Sequence, residues 1–237
     1  MSATPTAKTA LVTASGKGIG AAIARRLAAD GWNVATLSPS GGAERLADEI
    51  GGFGVTGSLT EETDLDRLVD GAKARFGRID AVVVNAGHAP KGTLLELTDD
   101  QWQGAYDLLF VSAVRLIRKA TPALVAAGGG SVVIMSSFAA AEPEETFATS
   151  ACMRAALVNF AKIYADTQAR HGIRINTVLP GYIDSLPEKA ERRAKIPLGR
   201  YGHAAEAGGL VSFLLSDDGA YLTGQCLRLD GGLVRAP

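Results

Sequence analysis

Three side chains that can donate hydrogen bonds lie close together in the sequence. Ser150 follows Ser137 by thirteen positions, and Arg154 follows Ser150 by four. A guanidinium stays charged and presents a planar set of donors, so Arg154 could hold ribose hydroxyls or an anionic substrate, but it cannot act as a proton reservoir. A serine hydroxyl is a far weaker acid than a phenol. The three residues therefore indicate a site that can bind hydroxyls or an anion but is poorly suited to transferring a proton.

Two other residues, elsewhere in the sequence, carry groups that can exchange a proton. Tyr182 carries a phenol, and the alternative role for it is a lid or packing residue. His88 can titrate near neutral pH, and otherwise is a loop residue beside the site. Three carboxylates, Glu142, Glu144 and Glu145, lie between the two serines. They would disfavour an anionic substrate if they pointed inward, whereas a solvated face would leave the site unaffected.

The elements that must position these residues alternate between short apolar runs and helical patterns. The predicted strands are Thr9–Thr13, Val34–Leu37, Gly54–Thr56, Ala81–Asn85, Ser131–Ser136, Arg174–Leu179 and Cys226–Leu229. The predicted helices are Gly18–Asp30, Ala43–Ile50, Glu61–Phe76, Asp99–Ala127, Ser150–His171 and Ala204–Leu215. This alternation predicts one α/β domain over residues 1–237, a Rossmann-like, doubly wound parallel sheet of about seven strands with helices on both faces.

A glycine-rich turn joins the first predicted strand to the first helix. It runs from Val12 to Gly20, and glycines at 18 and 20 would let the backbone approach a pyrophosphate at the helix N-terminus. Because it stands between a strand and a helix, the turn predicts a dinucleotide site. Its candidate cofactor-binding residues are Thr13, Ser15, Lys17, Gly18, Ile19 and Gly20.

These motifs resemble those of the short-chain dehydrogenase/reductase family over nearly the whole chain. The family's turn Thr-Gly-x-x-x-Gly-x-Gly is matched by Thr13, Gly18 and Gly20, with Ala14 at the first glycine. Further matches are Asn85-Ala86-Gly87, Pro180-Gly181-Tyr182-Ile183-Asp184-Ser185, Tyr221-Leu222-Thr223-Gly224-Gln225 and Asp230-Gly231-Gly232. The resemblance implies that Asn85, Ala86, Gly87, Pro180, Gly181 and Ile183 contact the cofactor.

The resemblance also implies four catalytic positions, for asparagine, serine, tyrosine and lysine. Ser137 matches the serine, whereas Leu109, Ser150 and Arg154 stand at the other three. The predicted catalytic residues are therefore Ser137, Ser150, Arg154 and Tyr182, in a divergent member of the family.

The second strand carries the signal for the choice of nucleotide. An acid at its end would select NAD through the ribose hydroxyls, and Ser38 occupies that place. Lys17 could contact a 2′-phosphate, and Ser38 and Ser40 could donate hydrogen bonds to it, so NADP is favoured and NAD stays possible. Ser58 stands where the family has an adenine-contacting aspartate, so binding of any dinucleotide is itself open.

Composition excludes several other classes of protein. Lys and Arg total 24 against 25 Asp and Glu, which leaves no positive excess for nucleic acid. Two cysteines, predicted to be buried free thiols, are too few for a disulfide framework, and no apolar run suits a membrane span. Residues 1–8 form a polar lead without a signal core. We therefore expect a cytoplasmic protein with no metal site and a small-molecule substrate, forming a homodimer or homotetramer through the helices predicted over Asp99–Ala127 and Ser150–His171.

Three functions agree with these residues. The first is an NADP(H)-linked oxidoreductase acting on a small carbonyl or alcohol through the Ser137, Ser150 and Arg154 site. The second is non-redox chemistry on the same scaffold, dehalogenase- or lyase-like, since halohydrin dehalogenases also place arginine at the lysine position. The third is a catalytically silent nucleotide-binding or structural subunit.

Overall fold

Seven short strands form one wholly parallel sheet in the computed structural model, which describes residues 7–235. The strands are β1 (Thr9–Thr13), β2 (Asn33–Ser38), β3 (Phe53–Thr56), β4 (Ala81–Val84), β5 (Gly130–Met135), β6 (Ile173–Pro180) and β7 (Cys226–Leu229). They lie side by side in the order β3-β2-β1-β4-β5-β6-β7. The strand order reverses between β1 and β4, and such a switch point is where sheets of this type bind ligands at their carboxyl ends.

Helices cover both faces of this sheet. They are α1 (Gly18–Ala29), α2 (Gly42–Ile50), α3 (Glu62–Phe76), α4 (Asp99–Ala105), α5 (Ser112–Ala126), α6 (Ala148–Gln168), α7 (Ala190–Arg193) and α8 (Ala204–Leu215). One apolar layer joins the sheet to α3, α5 and α6, and the other joins it to α1, α2 and α8. Successive side chains of a strand point to opposite faces, so Leu11 enters the first layer while Ala10 and Val12 enter the second. The fold class predicted from the sequence is confirmed.

The helix predicted over Asp99–Ala127 is interrupted in the structure. It begins with a capping box at Thr98, in which the side chains of Thr98 and Gln101 each accept from the other residue's backbone N–H. A π-helical segment, Tyr106–Val111, then separates α4 from α5 and contains the buried Leu109. Such segments are rare, and they are frequent at functional sites.

The prediction that both cysteines are buried is wrong, and the predicted polar lead falls mostly outside the described residues. Cys152 and Cys226 are exposed rather than buried, because Cys152 lies on the outward face of α6 and Cys226 begins the edge strand β7. Short helix α7 was not predicted. Residues 1–6 of the predicted polar lead lie outside the described residues, and Ala7 and Lys8 are exposed.

Candidate active site

A cleft opens beside the carboxyl ends of β4, β5 and β6. Its walls are the loops after those strands, the first turn of α1 and the start of α6. Ten of the predicted site residues line it: Ile19, Asn85, Ala86, Ser137, Ser150, Arg154, Pro180, Gly181, Tyr182 and Ile183. The other predicted cofactor residues, Thr13, Ser15, Lys17, Gly18, Gly20, Ser38 and Gly87, lie outside that lining.

Arg154 is a buried cation at the floor of the cleft. It is only 8% exposed, and its Nη1 donates to the backbone oxygens of Met135 (2.8 Å) and Ser136 (2.9 Å) at the end of β5. No carboxylate within residues 7–235 forms an ion pair with it. Burial therefore lowers the pKa of Arg154 to about 10, which still leaves it charged at neutral pH.

Two serine hydroxyls accompany this guanidinium. Ser150 accepts a hydrogen bond from Nε of Arg154 at 3.2 Å, one helical turn away on α6. Ser137 follows β5 and accepts from the backbone N–H of Ala139, which caps a short 3₁₀ turn over Phe138–Ala140. Because both hydroxyls accept in these bonds, each keeps its proton to donate to an oxygen in the cleft.

Tyr182 forms part of an aromatic wall. Its hydroxyl donates to the carboxylate of Glu144, with the oxygens 3.1 and 3.3 Å away, and its ring stacks on Tyr201 at a centroid distance of 5.5 Å. Burial, with the negative charge of Glu144, raises the pKa of Tyr182 to about 12. The raised pKa opposes ionisation of Tyr182, and the bond to Glu144 occupies the proton that it would donate into the cleft. The catalytic role of Tyr182 stays a prediction.

The carboxylates between the two serines lie outside the cleft lining. Glu144 faces Tyr182 and Lys195 (3.5 Å), and Glu142 accepts from the backbone N–H of Arg235. Glu145 is exposed. The lining therefore contains no carboxylate, and Glu144 lies behind it, against the Tyr182 hydroxyl.

Positive charge dominates the cleft instead. Arg154, Lys91 and Arg192 line it, and the last two were not singled out from the sequence. The pKa of His88 is lowered by partial burial and by the positive charges of Lys91, Arg154 and Lys17. His88 is therefore neutral at physiological pH.

The glycine turn provides room and donors for a pyrophosphate. Helix α1 begins at Gly18, where φ is +59°, and no side chain caps its N-terminus. Its first N–H groups are thus available to an anion. A Cβ on Gly20 would lie 2.4 Å from the backbone oxygen of Ala14, so only glycine fits there. The residues of the turn therefore fit a dinucleotide phosphate.

Thr13, Ser15 and Asn85 hold the turn in place. The Thr13 hydroxyl donates to the backbone oxygen of Asn85 (2.7 Å) and accepts from its N–H (3.0 Å). Ser15 is fully buried and donates to the backbone oxygen of Val12. The Asn85 amide donates to the backbone oxygen of Ala14 at 3.3 Å. These side chains bind the protein's own backbone, so their predicted role in cofactor binding would be indirect. Gly87, after β4, is exposed.

The residues predicted to lie near the adenosine half of the cofactor give a weaker indication of binding. The Ser38 side chain is buried and accepts from the backbone N–H of Ala43 at 2.9 Å, so contact with a 2′-phosphate would require it to turn outward. Lys17 is exposed at the start of α1. Ser58 pairs its hydroxyl with Thr60 at 2.8 Å.

Between residues 7 and 235, His, Cys, Asp and Glu side chains do not assemble in groups of three or more that could hold a metal ion. None of the helices in this range is both long enough and apolar enough to cross a bilayer.

Fold and glycine turn together define the class, a Rossmann-like α/β protein whose first turn fits a dinucleotide phosphate. Residues 13–234 match a family model described as Enoyl-(Acyl carrier protein) reductase. The chain is 33% identical over 236 residues to the 3-oxoacyl-(acyl-carrier-protein) reductase FabG of Escherichia coli (strain K12), covering 95% of this chain and 97% of that protein. FabG of Staphylococcus aureus (strain Mu50) is 30% identical over 240 residues, with 95% and 98% covered. The chain belongs to the short-chain dehydrogenase/reductase family, a family of oxidoreductases.

Proposed function

We propose that this protein is an NADP(H)-linked oxidoreductase that interconverts a small carbonyl compound and its alcohol. The observation that carries the proposal is the buried Arg154, held by two backbone oxygens and Ser150 beside a cleft that the glycine turn also reaches. Donors fixed in a partly water-excluded site stabilise a developing oxyanion better than mobile donors in water do.

The chain's own residues would orient and polarise the substrate. A bound nicotinamide cofactor supplies or accepts the hydride. Arg154 and the hydroxyls of Ser137 and Ser150 donate to the carbonyl oxygen, and they stabilise the negative charge that develops there as the carbon gains the hydride. A serine hydroxyl is too weak an acid to transfer its proton near neutral pH. The proton that completes the alcohol therefore comes from water.

NADP is preferred to NAD for electrostatic reasons. No acid stands at the end of β2, where a carboxylate would repel a 2′-phosphate. Lys17 is exposed at the glycine turn, and Arg45, which the sequence reading overlooked, is exposed near the loop after β2. Its Nη1 lies 3.5 Å from the point where a Cβ on Gly41 would be. Two cations at this end of the groove suit a phosphate.

Calorimetric titration with NADPH, NADP⁺ and NADH tests the cofactor first. We expect NADPH to bind more tightly than NADH, and Lys17→Gln with Arg45→Gln to reduce that preference. Lys73→Gln, exposed on α3, is the matched control. If neither NADPH nor NADP⁺ binds at millimolar concentration, the proposed function is excluded.

Activity assays then separate this function from its alternatives. NADPH oxidation over a panel of aldehydes and ketones should show turnover that Arg154→Met removes. If the parent is inactive but Ser150→Tyr with Arg154→Lys and Leu109→Asn gains reductase activity, the protein is a silent member. Halide release from vicinal haloalcohols without NADPH consumption would instead identify dehalogenase chemistry.

Assembly and location complete the proposal. We propose a homodimer or homotetramer that buries the outer faces of α5 and α6, in the cytoplasm. Tyr106, before α5, and Ile163 on α6 are 40% and 65% exposed, which supports this contact surface. Light scattering coupled to gel filtration tests it, and Ile163→Asp should shift the protein toward monomer; a parent that elutes as a monomer would contradict it.

A further inference from the structure

Two cations lie against one aromatic ring in the cleft. The Nζ of Lys91 lies 5.2 Å from the ring centroid of Phe147, and the guanidinium carbon of Arg192 lies 6.0 Å from the same centroid. Arg192 also lies 5.0 Å from the ring centroid of Tyr182. Phe147 immediately precedes α6, and all four residues line the cleft that contains Ser137 and Arg154.

Neither of these cations has a carboxylate partner within residues 7–235. Their neighbours do, since Arg193 pairs with Glu188 at 3.0 Å and Lys195 pairs with Glu144 at 3.5 Å. The chain as a whole is nearly balanced, with 24 basic and 25 acidic residues, yet the cleft lining contains no acid. Cations with no acid opposite them concentrate positive potential inside a cleft.

The cofactor's phosphates do not account for this charge. Those phosphates fit the glycine turn at the start of α1, whereas Lys91 follows β4 and Arg192 lies on α7. Both cations face an aromatic cluster, in which the rings of Phe138 and Phe147 meet edge to face at 6.3 Å and those of Phe138 and Tyr182 at 5.3 Å. The two cations therefore lie among aromatic rings, on different elements from the turn that fits the phosphates.

We propose that the substrate is an oxo acid, whose carboxylate binds to Lys91 and Arg192 beside the Phe147 ring. Its apolar portion packs on Phe138 and Tyr182, and its carbonyl reaches the Arg154 donors. A carboxylate is ionised at neutral pH and complements both cations, whereas a neutral ketone would leave them unmatched. This inference rests on the proposed function, because it names the substrate class of the same site.

The experiment compares oxo acids with their methyl esters, which keep the shape and lose the charge. Pyruvate, phenylglyoxylate and levulinate, each with its ester, are titrated by calorimetry into protein saturated with NADP⁺. We expect at least one acid to bind about tenfold or more tightly than its ester at low salt, and the difference to shrink as salt screens the charges. Lys91→Gln with Arg192→Gln should abolish the difference. Arg193→Gln, one position away and outside the cleft lining, should preserve it.

Each outcome decides the proposal. Equal binding of acid and ester, no binding of any acid, or an acid preference that survives the double variant would overturn it. A preference lost in Arg154→Met but kept in the double variant would also overturn it, because the anion would then lie on the cleft floor. The proposed function fails separately, in the preceding cofactor titration, if no NADP form binds.

Discussion

Replacement of Ala14 in the glycine turn tests two things: whether the backbone of this turn is strained, and whether the turn binds the cofactor's phosphates. Among the described residues, Ala14 is the single non-glycine with positive φ, at +46°. The left-handed region costs a residue with a Cβ about 1–2 kcal/mol, while glycine loses about 0.5–1 kcal/mol more than alanine in backbone entropy on folding. Ala14→Gly should therefore raise the free energy of unfolding by roughly 0.5–1 kcal/mol. For a chain of this size, that corresponds to a rise in Tm of about 1–4 °C.

Urea unfolding and thermal unfolding of the variant measure this change. The control is Ala74→Gly, at an exposed position on α3 with ordinary helical φ, which should lower stability by about 0.5–1 kcal/mol. Calorimetry with NADPH gives a second readout, because removing the methyl from the turn should also tighten cofactor binding.

The two readouts can fail independently. If Ala14→Gly destabilises the protein as Ala74→Gly does, the argument from backbone strain is wrong. If stability rises while NADPH affinity stays the same, the strain is real but the methyl does not obstruct the pyrophosphate. An increase in both supports the assignment of this turn as the phosphate site.

Four other predictions concern three residues of the cleft and the buried carboxylate of Asp80. Arg154→Met should change stability by only about 1 kcal/mol, since relief of an unpaired buried charge offsets the lost hydrogen bonds; urea unfolding showing a loss of about 3 kcal/mol or more would refute this. Tyr182→Phe should retain most activity, because the hydroxyl donates to Glu144; a loss of about 100-fold would support the catalytic role suggested by the sequence. Asp80→Asn should lower the free energy of unfolding by about 2 kcal/mol, since the buried carboxylate accepts charge-assisted bonds, and an unchanged urea midpoint would contradict it. Partial burial and nearby positive charge lower the pKa of His88, so its contribution to stability should decline as pH falls below about 6.5; His88→Gln should weaken that decline, measured as Tm against pH.

Local patterns predicted the scaffold well because the signal lies within each segment. β1 and α8 begin and end at the predicted residues, since a buried strand is apolar throughout and a packed helix repeats its apolar residues at helical spacing. The π-helical segment around Leu109 has no such local signal. The segment packs against α6, and the sequence pattern alone predicts one continuous helix.

The sequence predicted several residues of the site, but it did not predict which side chains come together there. Ser137, Ser150 and Arg154 follow from motif spacing, and the structure brings all three to one cleft. Lys91 and Arg192 are far apart in the sequence, and the fold places both against the Phe147 ring. No pattern in the chain indicates a charge pair of this kind.

The energetics of Arg154 link the scaffold to the proposed chemistry. Burial of a cation is unfavourable unless negative charge compensates it, and two backbone oxygens with one hydroxyl supply only partial charge. A protein whose only need at this position was stability would be served as well by an apolar side chain. The uncompensated charge is instead useful when an oxygen in the cleft becomes negative, because the donors are already oriented and need no rearrangement at that moment. The desolvation cost of burying the Arg154 charge, which its hydrogen bonds offset, is therefore the expected counterpart of an electrostatic role in the reaction.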